Sequence, residues 1–410
     1  MEKRFGAKDF FLYGGLLVVL LSVWLLMFQV DRQWEFIAKV EKQIEEQSKD
    51  LSELRRLVRS GKPLNSLSNK THQDRDGEWR GFDRLAEITG RKDYASGDWI
   101  VDAFNVSSPT MTPLVAGDAY AAIIQQLVLD TLATRDPQTL EWLPLVATKW
   151  TSSADGLSFT FTIREGVRFA DGEALTAADV EFTYRFLMDS KIAAPRVRAY
   201  FNRIESVQAS GNQVTFLMNE PYFESFEIIA QMPILAEHVY GRYLESITEA
   251  EVFNSSTNLL FGSGPYRMAN ANDWLPGQMI ELVPNERYWG VLPGTFSKLI
   301  FKTITTDTAR LTEFKNGDLD VYGARPLEYR ELKANKEIVE RTKNFEYFNP
   351  RGGYSYIAWN QLKSGKPTIF ANRKVRQAMT YLTDRQRIAD EVFLGFAVGA
   401  NGPFNPLGKQ

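Results

Sequence analysis

Two carboxylates, two histidines and two glycine-rich turns are the positions in this 410-residue chain whose types could do chemistry. Asp171 and Asp179 could act as an acid–base pair, but each has a local duty that accounts for it. Asp171 opens the Asp171-Gly172 turn. Asp179 stands three residues after Thr176, the spacing of a capping box in which a carboxylate accepts the N-cap N–H. His72 and His238 are the only imidazoles. A nucleophilic serine needs a base within hydrogen-bond reach, and two histidines so far apart in sequence give it little support. Asn316-Gly317-Asp318-Leu319-Asp320 has part of the look of a calcium loop without its twelve-residue ligand pattern, so it reads as a cap and turn. Gly262-Ser263-Gly264-Pro265-Tyr266 could cradle a phosphate, yet lacks both the Lys-Ser/Thr sequel and the strand-to-helix setting of a P-loop. No catalytic constellation and no metal site are expected.

Composition narrows the classes further. Cysteine is absent, which excludes disulfides, thiolate metal sites and cysteine nucleophiles. A net charge of −3 gives no broad basic surface, so nucleic acid is not an expected partner. No cofactor is expected. The length is enough for two to three domains' worth of core, at an ordinary globular balance of 44% hydrophobic and 24% charged residues.

The elements that would position such residues are clearest from Trp142 to Phe182. Leu143-Pro144 leads into an apolar turn ending at Trp150, and Asp155-Gly156 is a hairpin signal because glycine tolerates positive φ. Phe159, Phe161 and Ile163 then alternate with Ser158, Thr160 and Thr162, the period of a half-buried strand. Arg164-Glu165-Gly166 turns the chain, Val167 and Phe169 start a short strand, and Thr176 begins a helix. Elsewhere, residues 115–132 carry Ile123, Ile124, Leu127, Val128 and Leu132 at helical spacing, and residues 214–218 read as a strand. Residues 308–315 read as a helix closed by Asn316-Gly317. Residues 371–393 present Val375, Met379, Leu382, Ile388 and Val392 as a helical core face, with Asp384-Arg385 starting a second helix. Short strands and helices alternate without a long parallel run, so the class is mixed α/β.

The first hundred residues differ. Residues 10–30 contain no charge, and 21 residues at about 1.5 Å each span about 30 Å, the thickness of a bilayer core. The run is longer than a signal-peptide core and has no small-x-small cleavage site, which favours an uncleaved transmembrane anchor over a cleaved leader. Residues 31–60 form a stalk in which Ile37, Val40, Ile44, Gln47, Leu51, Leu54 and Val58 recur with 3-4 spacing. That seam would make a homo-oligomer if it pairs; the alternative is a solvated amphipathic helix. Residues 61–97 are polar and read as a linker.

From about residue 98 onward the chain resembles one family, the extracellular solute-binding proteins of the peptide and nickel class, which are substrate receptors of ABC importers. The resemblance rests on an ordered set of fragments. Leu143-Pro144, Trp150, Asp155-Gly156, Arg164-x-Gly166, Phe169-x-Asp171-Gly172 and Thr176-Ala177-x-Asp179-Val180 come first. Gly262-Ser263-Gly264-Pro265-Tyr266, Asn285-x-x-Tyr288-Trp289 and Gly317-x-Leu319-Asp320 follow, then Asn360, Val375-Arg376-x-Ala378 and Asp384-Arg385. The resemblance implies a two-lobed periplasmic-binding-protein-like α/β fold with an extra subdomain in the first lobe. The division expected is a cytoplasmic 1–9, an anchor 10–30, a stalk 31–60, a linker 61–97, lobe I with its inserted subdomain 98–264, and lobe II 265–410. The resemblance also places the large C-terminal part on the periplasmic or extracellular side of the membrane. The chain stops at Gln410, where similar proteins continue, so the second lobe is expected to be incomplete.

The function implied is noncovalent binding of a peptide or another small solute between two lobes, for delivery to an ABC permease and its ATPase. The rival is a membrane-anchored sensor or scaffold on the same fold. In similar proteins Ser107, Ser108, Pro109, Leu129 and Asp130 fall where the cleft is lined. Trp359 and Asn360 end a strand placed at the cleft, and asparagine offers both donor and acceptor. Ser263, Gly264 and Tyr266 lie close to the cleft, with a ligand-facing or hinge role weighed against plain turn geometry. Arg376 is read as a helix-anchoring residue.

Overall fold

The computed structural model describes residues 77–402 apart from 93, 96, 138, 272–273, 292–295, 347–353 and 401. The expected anchor 10–30, stalk 31–60, His72 and the first part of the linker lie outside the described residues. Among the described residues no helix is long and apolar enough to cross a membrane.

The linker expected over 61–97 is folded in its second half. A 3-10 turn at Arg80–Phe82 runs into α1, Asp83–Thr89. Its polar composition conceals two anchors: Phe82 is buried, and Arg84 makes a bidentate pair with Asp136 at 2.9 and 3.0 Å.

Strand β1, Gly97–Phe104, opens the first of two four-stranded sheets. Ten strands in chain order build these sheets and a small pairing between them. They are β1, β2 (Ala133–Arg135), β3 (Trp142–Pro144), β4 (Ala147–Ser152), β5 (Ser158–Ile163), β6 (Ile204–Ser210), β7 (Gln213–Met218), β8 (Tyr266–Met268), β9 (Ile280–Pro284) and β10 (Phe296–Thr303). The first sheet has the order β1-β10-β9-β8, with β1 parallel to β10 from Gly97↔Phe296 to Phe104↔Thr303. It therefore draws strands from both sides of the 264/265 division expected from the sequence. Helix α2, Ala119–Val128, follows β1; it starts late in the expected 115–132 segment because Asp118 accepts the N–H groups of Tyr120 and Ala121 as N-cap. Leu129 is already extended.

The second sheet, β4-β5-β7-β6, is antiparallel throughout and comes entirely from residues 147–218. Gly156, at φ +70°, turns the β4–β5 hairpin as its sequence requires. Phe159, Phe161 and Ile163 face inward, and α3, Ala177–Met188, packs on β6 and β7 with Val180, Phe182, Phe186 and Leu187 buried. The capping box is present, the Asp179 carboxylate accepting the Thr176 N–H at 2.8 Å. Each fully buried aromatic or aliphatic side chain of this kind contributes about 1.5–3 kcal/mol.

Buried apolar side chains form one continuous core from Phe104 to Phe301. Downstream the picture changes. Helices α4 (Asp307–Asn316), α5 (Pro326–Ala334) and α6 (Arg373–Leu382) form, with Gly317 ending α4 in the left-handed conformation. Yet only Leu319, Leu332, Ile338 and Ala389 are buried apolar residues among those described after Thr303. The helical periodicity expected over 371–393 is real, but its face is not a core. Leu382 is 77% exposed, Val392 66% and neighbouring Tyr381 91%. Spacing fixes which side chains share a face, not what covers that face.

Candidate functional site

The expected binding residues fall into three groups. The first lies just past the carboxyl end of β1. Ser107 Oγ accepts the Gly277 N–H at 2.7 Å, joining this loop to a turn 170 residues away. The buried Ser108 hydroxyl lies 2.6 Å from Asp118 Oδ2 and 3.0 Å from the Thr110 carbonyl, so it steadies the residue that caps α2. Pro109 is exposed. Beside them Tyr120 stacks on Phe104 at 4.3 Å, and Phe104 on Phe301 at 5.1 Å.

The second group forms where α2 ends. Leu129 and Asp130 are buried, and the Ser263-Gly264 turn lies against them. Gly264 donates its N–H to the Val128 carbonyl at 2.9 Å. Its glycine is required by approach: a Cβ there would stand 2.6 Å from the Val128 carbonyl carbon and 2.8 Å from the Leu127 oxygen. Gly262 is required for the same reason, since a Cβ there would stand 2.4 Å from the Val128 oxygen. Asn285 secures the turn from the other side, its Nδ2 donating to the Gly264 carbonyl at 2.9 Å and its N–H to that of Pro265. Tyr266 is buried in β8 beyond it, and burial raises its phenol.

Asp130 is the charged centre of this group. Trp289 donates its indole N–H to Asp130 Oδ2 at 2.8 Å. Burial pushes the carboxyl up to about 6, against the pull of Trp289 and Ser263. The Ser263 hydroxyl meets no acceptor in hydrogen-bond geometry, though it is close enough to Asp130 to favour the carboxylate. On its far side Trp289 receives the Arg164 guanidinium over its ring at 5.5 Å, and Trp79 covers the same cation at 4.3 Å. Arg164 donates to the carbonyls of Leu145 and Glu78, and its burial lowers its basicity.

The third group stands apart. Trp359 stacks on Phe370 at 4.7 Å, and Asn360 closes the turn before the short β11 (Leu362–Lys363) and β12 (Lys366–Pro367) hairpin through Leu362 and Thr368. Among the described residues no hydrogen bond, ion pair or ring contact joins Trp359 or Asn360 to the other two groups. Arg376 donates to the carbonyls of Phe370 and Ala371, the anchoring role its position suggested.

Sequence reasoning missed two features. Asp130 accepts from Trp289, and Trp289 in turn meets Arg164, through contacts that only the tertiary fold makes and no local pattern carries. His238 lies 2.7 Å from Asp171, joining two residues set aside separately, with the imidazole edge-on to Phe169. The pair ties the Asp171 turn to the start of the helix that holds His238.

The family described as bacterial extracellular solute-binding proteins, family 5 (middle region), matches residues 141–410. Protein XP55 of Streptomyces lividans is 31% identical over 296 residues, covering 72% of this chain and 50% of that protein. The oligopeptide-binding protein AppA of Bacillus subtilis is 27% identical over 326 residues, covering 78% and 56%. The chain thus spans about half the length of the curated relatives it matches. Among solved structures, the same AppA in complex with a nonapeptide superposes with a TM-score of 0.61 at 24% identity, covering 77% of this chain and 59% of that one. DppA from Helicobacter pylori in complex with a peptide gives 0.62 at 22%, covering 76% and 61%. At these identities the solved structures carry the fold: the α/β periplasmic-binding-protein-like architecture expected from the sequence.

Proposed function

The chain belongs to the bacterial extracellular solute-binding proteins of family 5, and from that premise we propose that it is the substrate receptor of an ABC importer for peptides or a related small solute. Binding is noncovalent, and the loaded receptor hands its ligand to a membrane permease powered by an ATPase. The observation that carries this reading is the parallel β1–β10 pair. In open α/β sheets ligands bind outside the carboxyl ends of the strands. Here those ends release Ser107–Pro109 on one strand and residues 304–306 on the other, with the Ile304 N–H bonded to the Phe104 carbonyl at 2.8 Å.

In this reading Ser107, Pro109, Trp359 and Asn360 meet the ligand. Ser108, Leu129, Asp130, Ser263, Gly264 and Tyr266, being packed or buried, hold the walls. The crossing between lobes follows Thr303, because β8–β10 complete the sheet that β1 begins. The thinly buried residues after it form part of a second lobe. Residues 10–30 anchor the chain in the cytoplasmic membrane with the receptor outside, and 31–60 form its stalk, a reading supported by the uncharged run and the heptad spacing alone.

Native mass spectrometry of the full chain, purified in detergent, tests the receptor role. The expected result is a mixture of peptide masses released on denaturation and rebound from a peptide library. A chain that is empty as purified and stays empty with the library overturns it.

A further inference from the structure

We infer that residues Glu78–Phe82 are a clasp that fixes the inserted sheet to the β8–β10 sheet, and that Trp79 within it is a positioning residue for Asp130. The inference rests on the receptor reading only for the ligand-side meaning of Asp130. The segment precedes both the family match and the region where the sequence resemblance begins, so neither assigns it a role.

The clasp is built from both sides. Beside the inserted sheet, the backbone of Gly81 runs against β3, the strand that leads into it, where an added Cβ would stand 2.2 Å from the Pro144 oxygen. Arg164, which follows β5, reaches out to donate to the Glu78 carbonyl at 2.5 Å while its guanidinium lies under Trp79. On the other sheet, Phe82 meets Trp289 edge-to-face at 5.5 Å and Trp79 meets it at 6.3 Å. Gly290 leaves room for the Phe82 ring, since a Cβ there would stand 2.8 Å from two of its carbons.

The consequence follows from what lies between the two indoles. Arg164 is 5% exposed and, among the described residues, no carboxylate bonds to it, so its charge is held by carbonyls and two aromatic faces. Removing Trp79 opens one face of that cation to water and frees Trp289 to tilt. Trp289 is the donor to Asp130, so the tilt reaches the carboxylate. The other groups bearing on Asp130 are Ser263 and the half-buried Tyr288 phenol, with Arg164 acting on Tyr288 and the Glu78 carboxylate on Arg164.

The test uses the full chain in detergent, labelled with 5-fluorotryptophan, with the Trp289 signal assigned by Trp289→Phe. Its shift should titrate with a midpoint near 6, following Asp130. In Trp79→Ala the midpoint rises by on the order of half a unit as the tilted indole withdraws the hydrogen bond that favours the carboxylate. Trp79→Phe restores most of it, and Phe82→Leu, which keeps apolar volume, shifts it in the same direction by less. Arg84→Ala, which loosens the same segment through a separate ion pair, leaves the midpoint in place. An unchanged midpoint in both Trp79→Ala and Phe82→Leu overturns the inference, as does an equal shift in Arg84→Ala. The titration needs no ligand, so a chain that never binds peptide leaves the result standing.

Discussion

Trp289 donates its indole N–H to Asp130 at 2.8 Å across 159 residues of sequence, and this one bond joins the end of α2 to the loop after β9. A buried carboxyl served by a single clear donor is held in its neutral form well above its ordinary range. Its protonation then feeds back on stability.

Folded Asp130 keeps its proton up to about 6, whereas the unfolded carboxyl loses it near 3.8. Between these values the native state binds more protons than the unfolded one. Stability from this group is therefore fully present below about pH 4, falls as pH rises through 6, and stays low above. Asp130→Asn keeps an acceptor for Trp289 and cannot ionise. It should exceed the parent by about 1–3 kcal/mol at pH 8 and converge with it near pH 4. Urea denaturation at the two pH values measures this, and a gap that does not change with pH refutes it.

Gly264→Ala should destabilise by about 1–3 kcal/mol, because the new methyl meets backbone atoms of Leu127 and Val128, which no side-chain rotation can move aside. Gly166→Ala is the control. Nothing lies within 4 Å of its Cβ, so its cost is the strain at φ +83° alone. Thermal melts should show the first variant disturbing α2 as well as its own turn.

Thr176→Ala should cost about 1 kcal/mol through loss of the cap. Asp179→Ala should cost more, about 2–3 kcal/mol, because the same buried carboxylate also accepts the Glu237 N–H at 3.1 Å and leaves that donor stranded. Equal losses in the two variants would mean that the second bond is not made in solution.

Within the described residues, brief trypsin digestion should cut first after residue 304, where four buried apolar side chains hold the segment, and last within 147–218. Intact-mass analysis of the products reads the order directly. Early cuts inside β4–β7 would show that the second sheet is not the stable part.

What the sequence carried was local. Asp155-Gly156, the alternation of Phe159, Phe161 and Ile163, and the Thr176–Asp179 box each specify geometry within a few residues, and each is found in place. The sequence leaves Gly264 between a ligand-facing or hinge role and plain turn geometry, with Gly262 in the same turn. The requirement is closeness to a distant backbone, which no neighbour in sequence signals. Arg164 and Trp289 were visible as family fragments, but their partners Trp79 and Asp130 lie 85 and 159 residues away, respectively. The helix at 83–89 escaped because one buried phenylalanine and one ion pair hold it, too little to mark a polar stretch as folded.

The parallel pairing of β1 with β10 also has a consequence in time. Their partners lie about 200 residues apart, so β1 has no neighbour in its sheet until β10 has been synthesised. At ~5–20 residues per second that is a wait of roughly 10–40 seconds. Closing so long a loop also makes this pairing a slow step relative to the hairpins of the second sheet. The inserted sheet can thus be finished while its host is still open, and the host closes around a part already made.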